Sequence, residues 1–164
     1  MEKLIINRDG LPNSDHWETN EELYKILNDE FNFDFDPCPL HADFNGLEIN
    51  WGKCNFVNPP YNRIDKPKFI NKGVQQFKSG SSVVFLIPAA TGTKQFQKVL
   101  APLCRFRLTW EEWVENKSLL RNDSYIVFLA GRVAFKGYNT KGVYSTKNNG
   151  KHDSMIVVLR GNIN

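Results

Sequence analysis

The chain has 164 residues and a hydrophobic fraction of 41%, enough for a domain that buries a core without disulfides or metals. A net charge of +3 is only mildly basic and does not by itself establish a nucleic-acid partner. Its three cysteines are widely spaced, its first residues are too polar for a secretory signal, and no run is long enough to cross a membrane. We therefore expect one domain over residues 1–164 in a reducing cytoplasm.

The first predicted elements are a helix and a strand. Residues 19–30 carry apolar side chains at helical spacing, which predicts a helix that Thr19 or Asn20 can cap, and Thr19 with Glu22 has the spacing of a capping box. Residues 31–36 alternate apolar and polar side chains, which predicts a strand that ends at Asp36.

The middle of the chain continues this alternation of elements. Residues 55–57 predict a short strand, and residues 65–78 predict a helix with one apolar face. Residues 82–87 are continuously apolar, as expected of a strand that is buried on both faces. Turn residues predict a turn at Asn45-Gly46 and a mobile loop at 136–153. A further helix is predicted at 93–103, and further strands at 105–108, 125–135 (bent at Gly131) and 155–159. Residues 109–123 are left unassigned.

Strands alternating with helices predict an α/β fold, with a mostly parallel sheet flanked by helices. In such sheets ligands bind beyond the carboxyl ends of the strands. Asp36 and Asn58 each follow a predicted strand. We therefore expect both side chains on the same rim of the sheet.

The sequence Asn58-Pro59-Pro60-Tyr61 suits a ligand that is planar and carries an NH₂ group. A residue before proline is held extended, so the Asn58 side-chain oxygen and the Pro59 carbonyl become two rigid acceptors. Hydrogen bonds from both N–H groups would localise the nitrogen lone pair, so that the nitrogen can attack an activated methyl group. The Tyr61 ring could stack on the base, worth about 1–3 kcal/mol, once the base has been flipped out of a duplex.

This motif resembles the catalytic motif of S-adenosylmethionine-dependent amino-methyltransferases, including protein-glutamine methyltransferases and some RNA enzymes. The segments HWETNEELYKILNDEFNFDFDPCP, NGLEINW, NFVNPPY, VVFLIPAATGT and FLAGRVAF occur in the order seen in the phage-type DNA N6-adenine methyltransferases, over residues 15–160. The resemblance implies a Rossmann-like fold and methyl transfer from S-adenosylmethionine to adenine N6 at specific sites in DNA. It also implies a cytoplasmic location in a bacterial or phage-infected cell and a restriction-modification role.

The resemblance also implies roles for individual residues. The catalytic residues would be Asn58, Pro59, Pro60 and Tyr61. The cofactor would be bound by Asp36 and Pro37 after the first strand, by Trp17 and Thr19 before the first helix, and by Asn45 at the cofactor adenine. Arg132 falls in the family's Gly-Arg-apolar pattern, in a structural or phosphate-facing role.

Two departures from the family pattern keep other functions open. No Gly-x-Gly loop follows Asp36, and Thr19-Asn20 stands where Thr-Pro is common. The alternatives are an RNA or protein-glutamine N-methyltransferase, and a nucleic-acid-binding module whose cofactor site has decayed. The intact motif at 58–61 argues against the binding module, because binding alone does not need two converging acceptors.

Several other patterns have structural interpretations. Cys38, His41 and Cys54 form only a partial zinc spacing, so no metal is predicted. Trp110 and Trp113 are expected to pack, although two indoles could also grip a base. With no separate recognition domain visible, base reading would fall to loops such as 109–123 or 136–153.

Overall fold

A computed structural model describes residues 18–19, 21–131, 134–138, 144–149 and 153–162. The described helices are α1 (Glu21–Phe31), α2 (Asp65–Lys78) and α3 (Trp110–Asn116), with a π-helical turn at Phe96–Leu100 and 3₁₀ turns at Ala101–Leu103 and Lys117–Leu120. The strands are β1 (Glu18–Thr19), β2 (Cys54–Val57), β3 (Ser82–Pro88), β4 (Phe106–Thr109), β5 (Tyr125–Phe128), β6 (Ala134–Tyr138), β7 (Tyr144–Asn149) and β8 (Ser154–Leu159). None of the helices described here has the length and apolar character needed to span a membrane.

The main sheet has five strands in the order β2-β3-β8-β5-β4. The pairs β2–β3 and β4–β5 are parallel, whereas β8 is antiparallel to both of its neighbours. Four strands therefore point the same way, and their carboxyl ends share one rim. The predicted α/β class with a mostly parallel sheet is confirmed.

The central strand β3 explains why its sequence is continuously apolar. Successive side chains of a strand point to opposite faces. Val83, Phe85 and Ile87 belong to a core that includes α2 and the π-helical turn. Val84 and Leu86 belong to a second core on the other face, formed with α1 and α3. Helices therefore cover both faces of the sheet.

The predicted strand 31–36 is wrong in its extent. Helix α1 runs to Phe31 and ends where Asn32 adopts a positive φ of 53°. Only Phe35 makes a bridge, parallel to Asn55 of β2. The Asp34 carboxylate accepts the backbone N–H groups of Lys53 and Cys54, each at 3.1 Å. A side chain thus replaces part of the backbone ladder, although the segment still lies beside β2 as predicted.

The predicted helix at 65–78 is confirmed at both ends, and the strands at 55–57, 82–87, 105–108 and 155–159 are confirmed to within one residue. The turn at Asn45-Gly46 is also confirmed, since the Glu48 N–H donates to the Asn45 carbonyl at 3.0 Å. The helix predicted at 93–103 is present, but its residues wind as π and 3₁₀ turns from Phe96 onward.

Three predictions for the C-terminal half need correction. Residues 125–135 are not one bent strand, because β5 and β6 belong to different sheets. The predicted loop 136–153 contains strand β7, which pairs with β6 in a three-stranded sheet completed by β1. The unassigned residues 109–123 contain α3, which begins with a capping box between Thr109 and Glu112.

Gly73 allows α2 to lie close to the sheet. A Cβ atom added at Gly73 would lie 2.4 Å from Cζ of the buried Phe85. We expect Gly73→Ala to lower the free energy of unfolding, because overpacking costs about 1–3 kcal/mol while alanine regains only about 1 kcal/mol of helix propensity. Denaturant unfolding followed by circular dichroism measures the difference.

Gly92 provides the matched control, because a Cβ added there would meet nothing within 4 Å. Gly92→Ala should therefore leave the unfolding free energy nearly unchanged. A Gly73→Ala protein as stable as Gly92→Ala would contradict the close packing of α2 on Phe85.

Candidate active site

The candidate site lies where β2 ends at the rim of the sheet. Val57 is the last residue of β2 and pairs with Phe85. Pro59 and Pro60 follow and bring no N–H group to a ladder. The Leu86 carbonyl, one residue beyond that last pair, instead accepts the Tyr61 hydroxyl at 3.0 Å. The prolines thus end the strand, and Tyr61 fixes the path that the chain takes away from it.

Asp36 and Asn58 are joined through Cys38. The Cys38 N–H donates to Asp36 Oδ1 at 3.0 Å, which closes a tight turn after Phe35. The Cys38 thiol donates to the backbone carbonyl of Asn58 at 3.1 Å. Asp36 follows the segment paired with β2 and Asn58 follows β2 itself, so two neighbouring parallel segments bring them to the same rim, as the sequence predicted.

Thr19 reaches Asn58 from the other sheet. It lies in β1, paired with Phe135 of β6, and is only 7% exposed. Asn58 Nδ2 donates a hydrogen bond to Thr19 Oγ1 at 3.1 Å. The prediction that Thr19 lies in the first helix as its cap is therefore wrong, because α1 begins at Glu21 and the hydroxyl contacts an amide outside that helix.

These residues line one pocket of about 230 Å³. Typical ligand pockets measure about 300–1,000 Å³, so the space between the described walls is smaller than a typical ligand pocket. The wall combines two carboxylates, a hydroxyl, an amide, a thiol and two aromatic rings. The lining residues are Thr19, Glu21, Tyr24, Asp36, Cys38, Pro39, Leu40, Phe56 and Asn58.

Burial is the main cause of the raised pKa values in this region. Burial, assisted by the Asp36 carboxylate, raises the pKa of the Cys38 thiol well above its ordinary value. The thiol therefore stays protonated near neutral pH and can donate to Asn58. Burial and Asp36 also raise the pKa of Tyr24, and burial followed by the influence of Cys38 raises the pKa of Tyr61.

The segment between the Asp36 turn and β2 is irregular but anchored. A Cβ at Gly46 would lie 1.9 Å from the Pro37 carbonyl oxygen, so only glycine allows this approach. Trp51 Nε1 donates to the Gly46 carbonyl at 2.7 Å. The Lys72 ammonium of α2 donates to the carbonyls of Leu47 and Ile49. These contacts hold the chain after Asp36 without a Gly-x-Gly loop.

The other predicted site residues lie in different places. Pro37 is buried directly beneath the turn. Asn45 is exposed and is not part of the pocket wall, and its Oδ1 accepts the Leu47 N–H at 3.0 Å. Trp17 and Arg132 lie outside the described residues. Tyr61, the last residue of the motif, is half-buried, but the wall of the pocket contains Asn58 and not Tyr61.

The sequence did not predict the part of the wall that α1 and the Asp36 turn contribute. Glu21 and Tyr24 lie one helical turn apart at the start of α1, a spacing that places two side chains on one face. That spacing was visible in the sequence, but nothing in it indicated that this face meets the strand ends. Cys38 was predicted as the last residue of the cofactor stretch Asp36-Pro37-Cys38 and as a buried thiol, but its contact with Asn58 was not predicted.

Trp110 and Trp113 pack together, as expected. Trp113 is 1% exposed, and its Nε1 donates to the Tyr125 hydroxyl at 2.9 Å. Trp110 packs against it with ring centroids 5.0 Å apart. In the part of the chain that the structure describes, no three His, Cys, Asp or Glu side chains are grouped as a metal site would require.

The Tyr61 hydroxyl gives a prediction on stability. Tyr61→Phe should lower the free energy of unfolding by about 0.5–1.5 kcal/mol, because the Leu86 carbonyl loses its hydrogen-bond donor. The ring is kept, so methyl transfer should change little. Tyr24→Phe is the matched control at a hydroxyl less deeply buried in the protein. Equal unfolding midpoints for Tyr61→Phe and the unmodified protein would contradict the contact with Leu86.

One comparison with known proteins identifies a family. Residues 10–163 match a family model described as DNA N-6-adenine-methyltransferase (Dam). No curated protein and no solved structure gave a significant match. The match defines a methyltransferase that acts on an exocyclic amine. The chain belongs to the DNA N-6-adenine-methyltransferase family, and its activity is the methylation of adenine N6 in DNA.

Proposed function

We propose that the pocket between α1 and the strand ends binds S-adenosylmethionine and that Asn58 carries the transfer to adenine N6. The observation that supports this most directly is the meeting of Asp36 and Asn58 at one pocket, joined through Cys38. The helices on both faces of the sheet and the site at the strand ends are consistent with a Rossmann-like cofactor fold.

The chemistry of the pocket wall fits this cofactor. S-adenosylmethionine supplies a methyl group on a positively charged sulfur, and it also carries an ammonium group. Glu21 and Asp36 place carboxylates in the wall, and opposite charges attract in a partly buried site. The Tyr24 ring adds an aromatic surface that favours cations. In this proposal Asp36 holds the amino group or a ribose hydroxyl, and Thr19 contributes its hydroxyl.

In the proposed mechanism Asn58 and Pro59 act on the adenine amine. The adenine nitrogen would gain positive charge as it attacks the methyl group and the sulfur leaves as a neutral thioether, so its N–H groups would become stronger donors until one proton is released to water. The Asn58 side-chain oxygen and the Pro59 carbonyl accept these hydrogen bonds more strongly in the transition state than in the ground state. Pro59 and Pro60 are both buried, which keeps the Pro59 carbonyl and the backbone of Asn58 in fixed positions.

Tyr61 combines an anchored hydroxyl with a half-buried ring. Its hydroxyl is bound to Leu86, and its ring packs beside the core that contains Phe56 and Val84. We propose that the remaining ring surface stacks on the flipped adenine. The hydroxyl contact then holds the ring still, so that little side-chain entropy is lost when the base is captured.

The turn that follows the motif is our candidate for contact with the DNA backbone. Asn62 Oδ1 accepts the backbone N–H groups of Ile64 at 3.0 Å and Asp65 at 2.7 Å. This rigid turn carries Arg63, which is exposed, and Ile64, which is 68% exposed. In this proposal Arg63 binds a phosphate of the DNA backbone. Ile64 inserts where two stacked bases have opened beside the motif.

We expect Arg63→Ala to weaken DNA binding on every sequence and to reduce the slope of log affinity against log salt by about 1. Fluorescence anisotropy with a labelled duplex at several salt concentrations measures both. Arg105→Ala is the matched control, because Arg105 precedes β4 at the opposite end of the sheet and lies 3.6 Å from Asp123. Equal affinities for the two variants would exclude the turn as a phosphate contact.

The proposed function as a whole is tested by methyl transfer from labelled S-adenosylmethionine. The purified protein is incubated with unmethylated duplex DNA, single-stranded DNA, RNA and protein in parallel, and the modified atom is identified by mass spectrometry. Label at adenine N6 of DNA is the expected result. Label on RNA or on glutamine would favour an alternative substrate, and cofactor binding without transfer would favour a decayed enzyme.

A further inference from the structure

The backbone of Asn58 is fixed on both sides. Val57 before it is paired with Phe85, and Pro59 after it has a fixed φ. Its own carbonyl accepts the Cys38 thiol at 3.1 Å. The backbone therefore leaves one thing to be set at Asn58 by side-chain contacts, the orientation of its amide group.

That orientation matters because an asparagine amide has two ends of nearly equal shape and opposite function. The oxygen accepts hydrogen bonds and the nitrogen donates them. Only the orientation that turns the oxygen to an adenine amine can accept from it. The reverse orientation would present two donors to another donor.

Thr19 contacts one end of this amide. Its Oγ1 accepts from Asn58 Nδ2 at 3.1 Å. The threonine is buried and belongs to β1, which is held by backbone pairing to β6. A β-branched side chain in a strand has few rotamers, so the hydroxyl is a fixed reference point for the amide.

We propose that Thr19 is a positioning residue, whose hydroxyl holds the Asn58 amide by its nitrogen and so selects the orientation that acts on adenine. The inference rests on the proposed role of Asn58. The resemblance to the family assigned Thr19 only to the cofactor. The two roles are compatible, since a hydroxyl that accepts from Nδ2 still has one proton to donate.

The kinetic test compares Thr19→Val, which keeps the shape without the hydroxyl, with Thr19→Ser, which keeps the hydroxyl. At saturating S-adenosylmethionine, Thr19→Val should lower the single-turnover rate on an adenine-containing duplex by about 3- to 10-fold, the effect of one neutral hydrogen bond. Saturating cofactor removes the effect of any lost cofactor contact on this rate, and Thr19→Ser should restore most of the rate. In an Asn58→Ala background, Thr19→Val should have no further effect on the rate.

A second measurement needs no activity. In the unmodified protein, nuclear magnetic resonance should show the Asn58 side-chain NH₂ protons close to the Thr19 side chain. Thr19→Val should shift these NH₂ signals. Protons that are remote from Thr19 would overturn the proposal, whether or not the valine variant folds.

Three other results would contradict the proposed role of Thr19. If Thr19→Val weakens cofactor binding but keeps the saturating rate, Thr19 is a cofactor contact and not a positioning residue. If valine and serine lower the rate and the melting temperature together, the role is structural. If Asn58→Ala itself keeps the normal rate, the proposed function of Asn58 fails, and this result differs from each of the others.

Discussion

Asn58→Ala should lower the single-turnover rate of methyl transfer by about 100- to 1,000-fold, the typical loss for one preorganised contact to a transition state. The affinity for S-adenosylmethionine should stay within a few-fold. The side-chain oxygen is proposed to act on the amine as charge develops there, so its loss affects the rate and not the binding of the ground state. A quenched-flow assay with saturating enzyme and cofactor separates the chemical step from product release.

The matched control for this change is Asn116→Ala. Asn116 also uses its amide in a contact, with Nδ2 donating to the Glu112 carbonyl at 2.7 Å, but it lies at the end of α3 and away from the pocket wall. This variant should keep the normal rate. If Asn58→Ala did so too, the motif at 58–61 would be only a stiff end of β2.

Elements with local signals were predicted well from the sequence. Helix α2 has an apolar face and Pro67 in its first turn, which suits a helix start. Strand β3 has a continuous apolar run because both of its faces are covered. Helix α3 also had a local signal, since Thr109 and Glu112 have capping-box spacing. The segment was nevertheless left unassigned.

Elements that depend on distant partners were predicted poorly. Strand β1 exists because Thr19 pairs with Phe135, more than a hundred residues later, and no local pattern at Thr19 indicates this. Strand β7 contains Lys, Asn and Ser, a composition typical of loops, and it is a strand because it pairs with β6. In both cases the backbone pairing, and not side-chain propensity, decides the structure.

The residues of the candidate site also fall into two groups, those that the sequence could place and those that depend on distant contacts. Asp36 and Asn58 could be placed on one rim because each follows a strand segment and parallel strands share their carboxyl ends. The contact between Thr19 and Asn58 could not be predicted, because it joins two sheets. The place of Tyr24 in the wall could not be predicted either, since it depends on how α1 packs on one face of the main sheet.

The Asp36 carboxylate gives the second large expected effect. Asp36→Ala should weaken S-adenosylmethionine binding by about 10- to 100-fold, because a charge-assisted hydrogen bond contributes about 1.5–3 kcal/mol. The fold should be retained, because the residue is only half-buried at the rim and the core lies elsewhere. Isothermal titration calorimetry gives the affinity, and thermal unfolding of the same samples shows whether the fold is intact.

Two further variants separate the charge of Asp36 from its place in the turn. Asp36→Asn keeps a side-chain oxygen that can accept the Cys38 N–H, so it should preserve the turn and the link to Asn58 while it removes the charge. A weakened cofactor affinity in Asp36→Asn would therefore assign the loss to the carboxylate. Asp43→Ala removes an exposed carboxylate from the neighbouring loop and should bind the cofactor normally. If Asp36→Asn binds as well as the unmodified protein while Asp36→Ala does not, then Asp36 serves the pocket through the turn alone, and Glu21 becomes the remaining carboxylate of the described wall to hold the cofactor's positive charge.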